Sequence, residues 1–381
     1  MSIRIDNCLK KMLEANLDGV LYAQGANFQY LSECTSYFWQ RHSLNNIMGR
    51  FSAKVLPEVL IYMNKEGKRT ILSIPQYRNH FEGYDVVISY MDQWEDTLSK
   101  IIDGKRIGVG FDCFEYLEAT LKEVSKEIEV VDAEELFFDL RACKDEVEIA
   151  QMRKLAKFTD DAVMYVVQNL KEGMTQYDAE KLLMDYGMIH GVQDFSFSPT
   201  CGFKTRGTFT PEQNFEFPRD SKLVKGTGIA FDVGFMDNGY CSDWGRTVYF
   251  GKAPERVKKA YEALQAGQEY MVSKIVPNQT NVNELFDLVY EEVNRRGFGD
   301  VLRHKELGML GHQIGIDCHE MPLLKRDVDA VLRPGMIFCS EPKIMIEGEC
   351  FMRVEDMILI TETGVEFLTN FDRTLFEVGN D

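Results

Sequence analysis

The sequence lacks the features of a membrane-spanning or nucleic-acid-binding protein. No apolar run approaches the ~20 residues that a membrane-spanning helix needs, and the N-terminal residues contain no apolar segment of the signal-peptide type. Basic residues are outnumbered, 43 against 61 acidic residues, and the net charge of −18 argues against nucleic acid or an anionic membrane as a partner. We therefore expect a cytoplasmic protein that binds neither.

Two further motifs are missing. The nine cysteines are an odd number, are scattered along the chain and form no CxxC pair, which is typical of reduced thiols in a cytosol. No glycine-rich phosphate loop is present either, since GVGFD at residues 108–112 lacks the GxGxxG spacing and fits a strand. A disulfide framework and a dinucleotide site of this type are thus not expected.

The pattern of apolar residues changes near residue 140. Before it, helices alternate with short apolar strands, for example at residues 19–23 and 106–111, which predicts an α/β domain with a mixed sheet. After it comes a long helix through Asn169, whose buried face we expect to include Val147 and Met152. A chain of 381 residues is long enough for two such domains with cores of their own.

Two aspartates stand among short apolar runs and turn-forming glycines at residues 231–251. Asp232 ends an apolar segment typical of a buried strand, and Asp243 begins the returning strand of the same hairpin. Two carboxylates placed in this way lie close together, which is costly unless a cation separates them. This stretch alone fits a surface hairpin with two turn aspartates equally well.

The C-terminal third favours the metal site. It places His312, Glu341 and Glu355 at the edges of short apolar strands, with His319 seven residues after His312. Four carboxylates and one imidazole can bridge two divalent ions, and so much oxygen favours Mn²⁺, Fe²⁺ or Co²⁺ over a thiolate-type zinc site.

Three cysteines, Cys241, Cys318 and Cys339, stand beside these candidate ligands. We expect them to be small core side chains rather than thiolate ligands, because the remaining candidate ligands are mostly oxygen donors.

These segments resemble the creatinase/prolidase/methionine aminopeptidase superfamily, the pita-bread metallohydrolases, and most closely its two-domain Xaa-Pro aminopeptidase and prolidase branch. The resemblance covers the whole chain. Carried over position by position, it implies Asp232 on one metal and His312 and Glu341 on the other. Asp243 and Glu355 would then bridge both metals, which are expected to be Mn²⁺, with Co²⁺, Fe²⁺ or Zn²⁺ as alternatives.

The resemblance also implies an α/β (α+β) fold in two domains. Residues 1–140 would form a creatinase-like mixed α/β domain, and residues 141–381 a pita-bread catalytic domain with pseudo-twofold symmetry. Two predicted helix pairs, each followed by strands that carry acids, agree with such halves.

Two metal ions of this kind can hold a bridging hydroxide and polarise a carbonyl oxygen, which suits amide hydrolysis. We expect His319 to be catalytic, either donating to the tetrahedral intermediate or passing a proton to the leaving amine, with a purely structural histidine as the alternative. Arg353 is expected to hold a ligand carboxylate. Arg246 would do the same or neutralise the acid cluster.

The substrate shell departs from the resembled family. Its peptidases usually carry a histidine about seventeen residues before the first metal aspartate, a position taken here by Phe215, and proline-specific members often have one where Gly308 stands. The aromatic and basic residues 36–46 are expected to form a surface loop or a lid toward a substrate. In that family such a loop can complete the partner's pocket in a homodimer. The residues that we assign to the substrate pocket are Trp39, Arg41, His42 and Phe215.

Three functions remain open. A dimetal Xaa-Pro aminopeptidase or dipeptidase acting on small peptides is favoured. A relative acting on a small non-peptide metabolite, by creatinase-like C–N hydrolysis or as a lyase, is the alternative. A non-catalytic binding protein is disfavoured, since all five ligand positions are present.

Overall fold

The chain forms two units, each with a core of its own. The computed structural model describes residues 2–37, 57–110, 114–209 and 216–379. The two units are Met1–Arg141 and Ala142–Asp381. Among the described residues, no helix combines the length and hydrophobicity that crossing a membrane demands.

The first unit is built on a six-stranded mixed sheet with the order β4-β3-β2-β1-β5-β6. Its strands are β1 (Gly19–Ala23), β2 (Val59–Asn64), β3 (Arg69–Ser73), β4 (Val86–Ile88), β5 (Arg106–Val109) and β6 (Glu129–Asp132). Its helices are α1 (Ile3–Glu14), α2 (Ala26–Ser32), α3 (Trp94–Leu98), α4 (Phe114–Val124) and α5 (Phe138–Ala142), the last of which ends in the second unit. Strand β1 is central, antiparallel to β2 and parallel to β5, and Leu21 and Trp94 belong to the buried core. The alternating pattern predicted this mixed α/β arrangement.

The second unit contains four longer helices and several small sheets. The helices are α6 (Glu146–Asn169), α7 (Gln176–Ile189), α8 (Glu255–Lys274) and α9 (Leu285–Arg295). The strands are β7 (Asp194–Phe195), β8 (Thr200–Thr205), β9 (Thr227–Val233), β10 (Phe235–Asp237), β11 (Tyr240–Cys241), β12 (Trp244–Phe250), β13 (Met309–Gln313), β14 (Glu320–Lys325), β15 (Ile337–Ser340), β16 (Lys343–Ile346), β17 (Cys350–Arg353), β18 (Asp356–Ile360), β19 (Val365–Phe367) and β20 (Phe376–Val378). Two sheets dominate, with the orders β20-β12-β9-β8 and β14-β13-β15-β18-β19.

Each helix pair packs on one of these sheets. Helices α6 and α7 share an apolar core with β8, β9 and β12, including Val163 and Phe231. Helices α8 and α9 share another with β15 and β18, including Leu264 and Phe338. The two helix-and-sheet halves therefore bring the acid-bearing strands of both sheets into one unit, as the sequence predicted.

Helix α6 begins at Glu146 with a capping box. Asp145 is its N-cap and accepts hydrogen bonds from the backbone N–H groups of Val147 and Glu148, while the Glu148 side chain accepts one from the backbone N–H of Asp145. This capping box sets the first turn in solvent. Val147, expected on the buried face, is 79% exposed for that reason, whereas Met152, further along the helix, is fully buried.

Candidate metal centre

The five candidate ligands lie where the two main sheets of the second unit meet. Asp232 is on β9, Asp243 directly precedes β12, His312 is on β13, Glu341 directly follows β15, and Glu355 lies between β17 and β18. Every one of them is thus on, or at the end of, a strand whose neighbours are fixed by backbone hydrogen bonds.

The backbone of Gly245 pairs with the backbones of two candidate ligands, Asp232 and Glu355. It is the antiparallel partner of Asp232 across β9 and β12, and it also forms an isolated bridge with Glu355, whose N–H donates to the Gly245 carbonyl at 2.7 Å. A Cβ atom at this position would lie 2.3 Å from Arg353 Cδ and 2.8 Å from Glu355 Oε2, so only glycine leaves room for both side chains.

The other sheet fixes His312 and Glu341. His312 is paired with Cys339 across β13 and β15, and the Glu341 N–H donates to the Leu310 carbonyl at 2.9 Å. His312 Nδ1 is 3.0 Å from the carbonyl of Gln313. A proton on Nδ1 donated to that carbonyl leaves Nε2 as the lone-pair nitrogen toward the carboxylates.

Four buried side chains converge. One potential ligand atom from each of Asp243, His312, Cys339 and Glu355 lies within 4.8 Å of the other three, and His312 Nε2 is 3.4 Å from Asp243 Oδ2. Asp243 Oδ1 is buried and has no hydrogen-bond partner among the described residues. An unsatisfied buried carboxylate oxygen is costly in a protein interior, and a cation would satisfy it. The donor set therefore fits a divalent metal ion.

The electrostatics of the cluster point the same way. Burial, together with the neighbouring Asp243 and Glu341, raises the pKa of the Glu355 carboxyl well above its usual value. Burial opposes protonation of His312, but the neighbouring Asp243, the Gln313 carbonyl and Glu341 together outweigh it and raise the pKa of the imidazole. Carboxylates crowded in this way are relieved by positive charge.

The two outer carboxylates are ion-paired. Arg353 forms a short ion pair with Asp232, and its Nη1 is also 3.4 Å from Glu355 Oε2, while Lys343 forms a short ion pair with Glu341. Lys343 and Arg353 are cross-strand partners in the β16–β17 hairpin, so both face the same side. Arg353 thus contacts two of the candidate ligand carboxylates, and its role at the centre stays a prediction.

His319 lies against the cluster. It is exposed, directly precedes β14, and its ring centroid is 4.1 Å from that of His312. Desolvation and then the neighbouring His312 lower the pKa of the His319 imidazole. The side chain is placed to reach a molecule bound beside the carboxylates, and its catalytic role stays a prediction.

Arg246 does not hold a ligand carboxylate. It is fully buried, forms a short ion pair with Asp356 and donates to the main-chain carbonyl of Glu355. Asp356 also accepts from Thr369 Oγ1 at 2.5 Å and from Arg373 at 3.1 Å. Arg246 therefore fixes the backbone that carries Glu355, which neither of our two expectations for it described.

The predicted substrate residues are not located. Trp39, Arg41, His42 and Phe215 lie outside the described residues. Gly308, the position at which proline-specific members of the resembled family often have a histidine, has φ +57°, and a Cβ atom there would lie 2.7 Å from the Arg326 side chain. A histidine at this position would thus be strained and would displace its neighbour.

The structure adds residues that the sequence interpretation missed. One of these residues is Lys343, which stands two residues after Glu341 in the sequence. Residues two apart in an extended chain point to the same side, so this spacing could have indicated that Lys343 lies beside Glu341.

A cavity of about 460 Å³ adjoins strand β16 and is lined by residues 300–307 with Met345 and Glu347. Burial and then the charge of Lys343 lower the pKa of the His304 imidazole in its wall.

Sequence comparison relates both parts of the chain to known families. Residues 150–362 match the profile of Metallopeptidase family M24, and residues 4–143 match the Creatinase/Prolidase N-terminal domain. The chain is 26% identical over 375 residues to an Xaa-Pro dipeptidase of Pyrococcus furiosus, covering 98% of this chain and 100% of that protein. It is 29% identical over 272 residues to an uncharacterized peptidase of Bacillus subtilis, covering 71% of this chain and 74% of the relative.

Solved structures share the fold. The prolidase from Pyrococcus horikoshii OT3 superposes with a TM-score of 0.80 at 23% identity, covering 98% of this chain and 100% of that one. The X-Pro aminopeptidase from Thermotoga maritima MSB8 gives a TM-score of 0.79 at 22% identity, covering 98% and 99%. These likenesses confirm the two-domain α/β architecture expected from the sequence.

Proposed function

Because this chain belongs to metallopeptidase family M24 and is a metal-dependent hydrolase, we propose that it cleaves the Xaa-Pro bond of short peptides, as an aminopeptidase or a dipeptidase. The observation that carries this proposal is the convergence of Asp243, His312 and Glu355 beside an unsatisfied buried carboxylate oxygen, with the His319 ring against them. The relatives named Xaa-Pro dipeptidase support the choice of substrate.

The metal-holding residues are proposed to be those that the resemblance implied. The set comprises Asp232, Asp243, His312, Glu341 and Glu355. With four carboxylates in the set, Mn²⁺ is the proposed metal. Two such ions, when bound, activate water and polarise the scissile carbonyl.

The chain's own residues orient this chemistry. Arg353 holds the Asp232 and Glu355 carboxylates toward one another, and Arg246 fixes the main chain behind Glu355. A ring N–H of His319 donates a hydrogen bond to the scissile carbonyl oxygen as the carbonyl carbon becomes tetrahedral, or passes its proton to the departing nitrogen. The buried strands around Asp243 exclude bulk water from the deep side of the centre.

One observation favours the second function, action on a small non-peptide metabolite. At Gly308 the backbone and the Arg326 side chain leave no room for the histidine that proline-specific relatives carry. Lys343 adds a positive charge at Glu341. A pocket with this charge and without that histidine suits a small anionic amide or amidine as well as a peptide.

The deciding experiment is turnover of Mn²⁺-loaded protein on a panel of Xaa-Pro dipeptides and tripeptides, with chelated protein as the control. Metal-dependent release of the N-terminal residue before proline is the expected result. Cleavage of dipeptides alone would identify a dipeptidase. Two bound metals per chain with no cleavage of any peptide would overturn the peptidase proposal and direct the panel to small amides and amidines.

A further inference from the structure

The His319 ring contacts the His312 ring, with 4.1 Å between the ring centroids, but the residue as a whole is exposed. Its chain neighbours Cys318 and Glu320 are only 6% and 4% exposed. The direction of the imidazole therefore depends also on how these neighbours are held. Cys318 is held weakly, with its thiol 3.6 Å from Asp243 Oδ2, so the stronger anchor is Glu320.

Both carboxylate oxygens of Glu320 are used. Oε2 accepts from Lys144 Nζ at 3.0 Å, and Oε1 accepts from the Asp317 N–H at 3.3 Å. The side chains of Lys144 and Glu320 are 1% and 3% exposed, and they lie 176 residues apart in the sequence. This buried ion pair ties the turn before β14 to the segment before helix α6.

Lys144 is itself fixed. Its N–H donates to the Gly335 carbonyl at 2.9 Å, and its Nζ is 3.4 Å from the Ala142 carbonyl. Two glycines make room for the pair. A Cβ atom at Gly315 would lie 2.6 Å from Glu320 Oε2, and one at Gly335 would lie 2.7 Å from the Lys144 carbonyl oxygen.

Stability alone does not account for such a pair. Removing two charges from water is costly, and buried ion pairs can often be replaced by apolar residues without loss of stability. An ion pair holds its two side chains in a more defined relative orientation than apolar packing does, because its hydrogen bonds are satisfied in one arrangement only. A fixed orientation of Glu320 also orients the exposed residue next to it in the chain, His319.

We propose that the Lys144–Glu320 ion pair positions the His319 imidazole over the metal centre, so that Lys144 and Glu320 are positioning residues of the reaction. The inference rests on the proposed function in one respect, namely that His319 acts on the substrate. It adds a requirement for two residues outside the set of five candidate ligands.

A double-mutant cycle tests the coupling. Glu320→Gln, His319→Ala and the double variant are assayed as Mn²⁺-loaded proteins on an Xaa-Pro dipeptide, with bound metal measured for each. Glu320→Gln should lower kcat about tenfold to a hundredfold, as expected for a misplaced catalytic group, while KM and metal content stay near the parent values. In the His319→Ala background the same change should cost nothing further.

Asp161→Asn is the matched control, since it removes an exposed ion pair with Lys157 on helix α6. Its kcat should equal that of the parent. An equal loss from Glu320→Gln in both backgrounds would overturn the proposal, as would a fall in bound metal. If Glu320→Gln fails to fold, the variant with both Lys144→Met and Glu320→Leu replaces it, with the same expected loss of kcat.

A second measurement does not depend on activity. The sequence has six histidines, so their side-chain ¹⁵N signals can be resolved, and the His319 signal is the one lost in His319→Ala. Glu320→Gln should shift or broaden that signal and leave His190, stacked on Tyr186, unchanged. An unchanged His319 signal would overturn the proposal. If no peptide is cleaved, the proposed function fails, while this spectrum still decides the positioning.

Discussion

At the scale of single residues, Asp243 is central to the candidate centre. It is almost fully buried, it lies 3.4 Å from His312, and one of its oxygens has no partner among the described residues. Replacing the Asp243 carboxylate with the neutral amide of asparagine would sharply weaken coordination of the metal.

Asp243→Asn and Glu355→Gln should each lose bound metal together with activity, because each carboxylate is proposed to bridge both ions. We expect less than one tightly held ion per chain and a fall in turnover of about two decades or more. Metal content after dialysis is the measurement, with Asp161→Asn as an exposed control. Either variant retaining two tightly held ions would show that the ligand set is wrong.

Asp160 gives a prediction about pH. It accepts hydrogen bonds from Trp244 Nε1 at 2.8 Å and from the Asn370 N–H at 2.7 Å, yet burial outweighs both and raises its pKa to about 6. The protonated form is thus favoured in the folded state. Its contribution to stability is complete below the unfolded pKa and is lost as the pH rises through about 6.

The free energy of unfolding of the parent, relative to Asp160→Asn, should therefore decrease by roughly 1 kcal/mol per pH unit up to about pH 6 and then level off. Urea denaturation between pH 5 and 8 at constant metal concentration measures the difference. A difference that is constant over this range, or that grows with pH, would contradict the assignment.

The residues of the centre were predictable to different degrees. Asp232 and Asp243 could be proposed from one hairpin, because strand and turn signals are local. The contacts of Lys144 with Glu320 and of Arg246 with Asp356 join residues more than a hundred positions apart, and no local pattern indicates which buried charges will meet. Cys339 was rightly expected to be buried, but its place among the ligand atoms depends on pairing with His312 across two strands.

At the scale of helices and strands, most of the elements could be predicted and their ends less well. Helix caps follow local sequence patterns, and Thr175 and Asn281 both form capping boxes with the acidic residue three positions later. Val147 was wrongly expected on the buried face, because apolar periodicity does not show that the capping box of Asp145 occupies the first turn of α6. Strand pairing was not predictable, since the register depends on partners that are distant in the sequence.

The pairing of strand β12 with β9 and with Glu355 requires a glycine at position 245. Gly245→Ala would place a methyl group 2.3 Å from Arg353 Cδ and 2.8 Å from Glu355 Oε2, so we expect strand β12 to shift or these two side chains to turn away. A loss of about 1–3 kcal/mol in stability and a lower metal content should result. Thermal denaturation and metal analysis provide the test, with Gly364→Ala as the control because a Cβ atom there meets nothing within 4 Å. Full metal content in Gly245→Ala would contradict this account.

At the scale of the whole molecule, the net charge of −18 keeps copies apart unless a specific interface overcomes it. A homodimer was nevertheless expected from the family resemblance and stays a proposal. Sedimentation equilibrium should give twice the chain mass, and dilution to the monomer should lower specific activity if a partner completes the pocket. A single-chain mass at every concentration, with undiminished activity, would exclude this arrangement.

The pairing of one glycine with two ligand carboxylates has a kinetic consequence. Asp232, Gly245 and Glu355 meet only after β9, β12 and the chain beyond β17 have assembled, so the complete ligand set exists late on the folding path. A metal ion that binds only the finished arrangement stabilises the native state without stabilising an early transition state. Added Mn²⁺ should then slow unfolding in stopped-flow experiments and leave the refolding rate unchanged. This result would mean that the metal ion binds after folding and slows the loss of the folded structure.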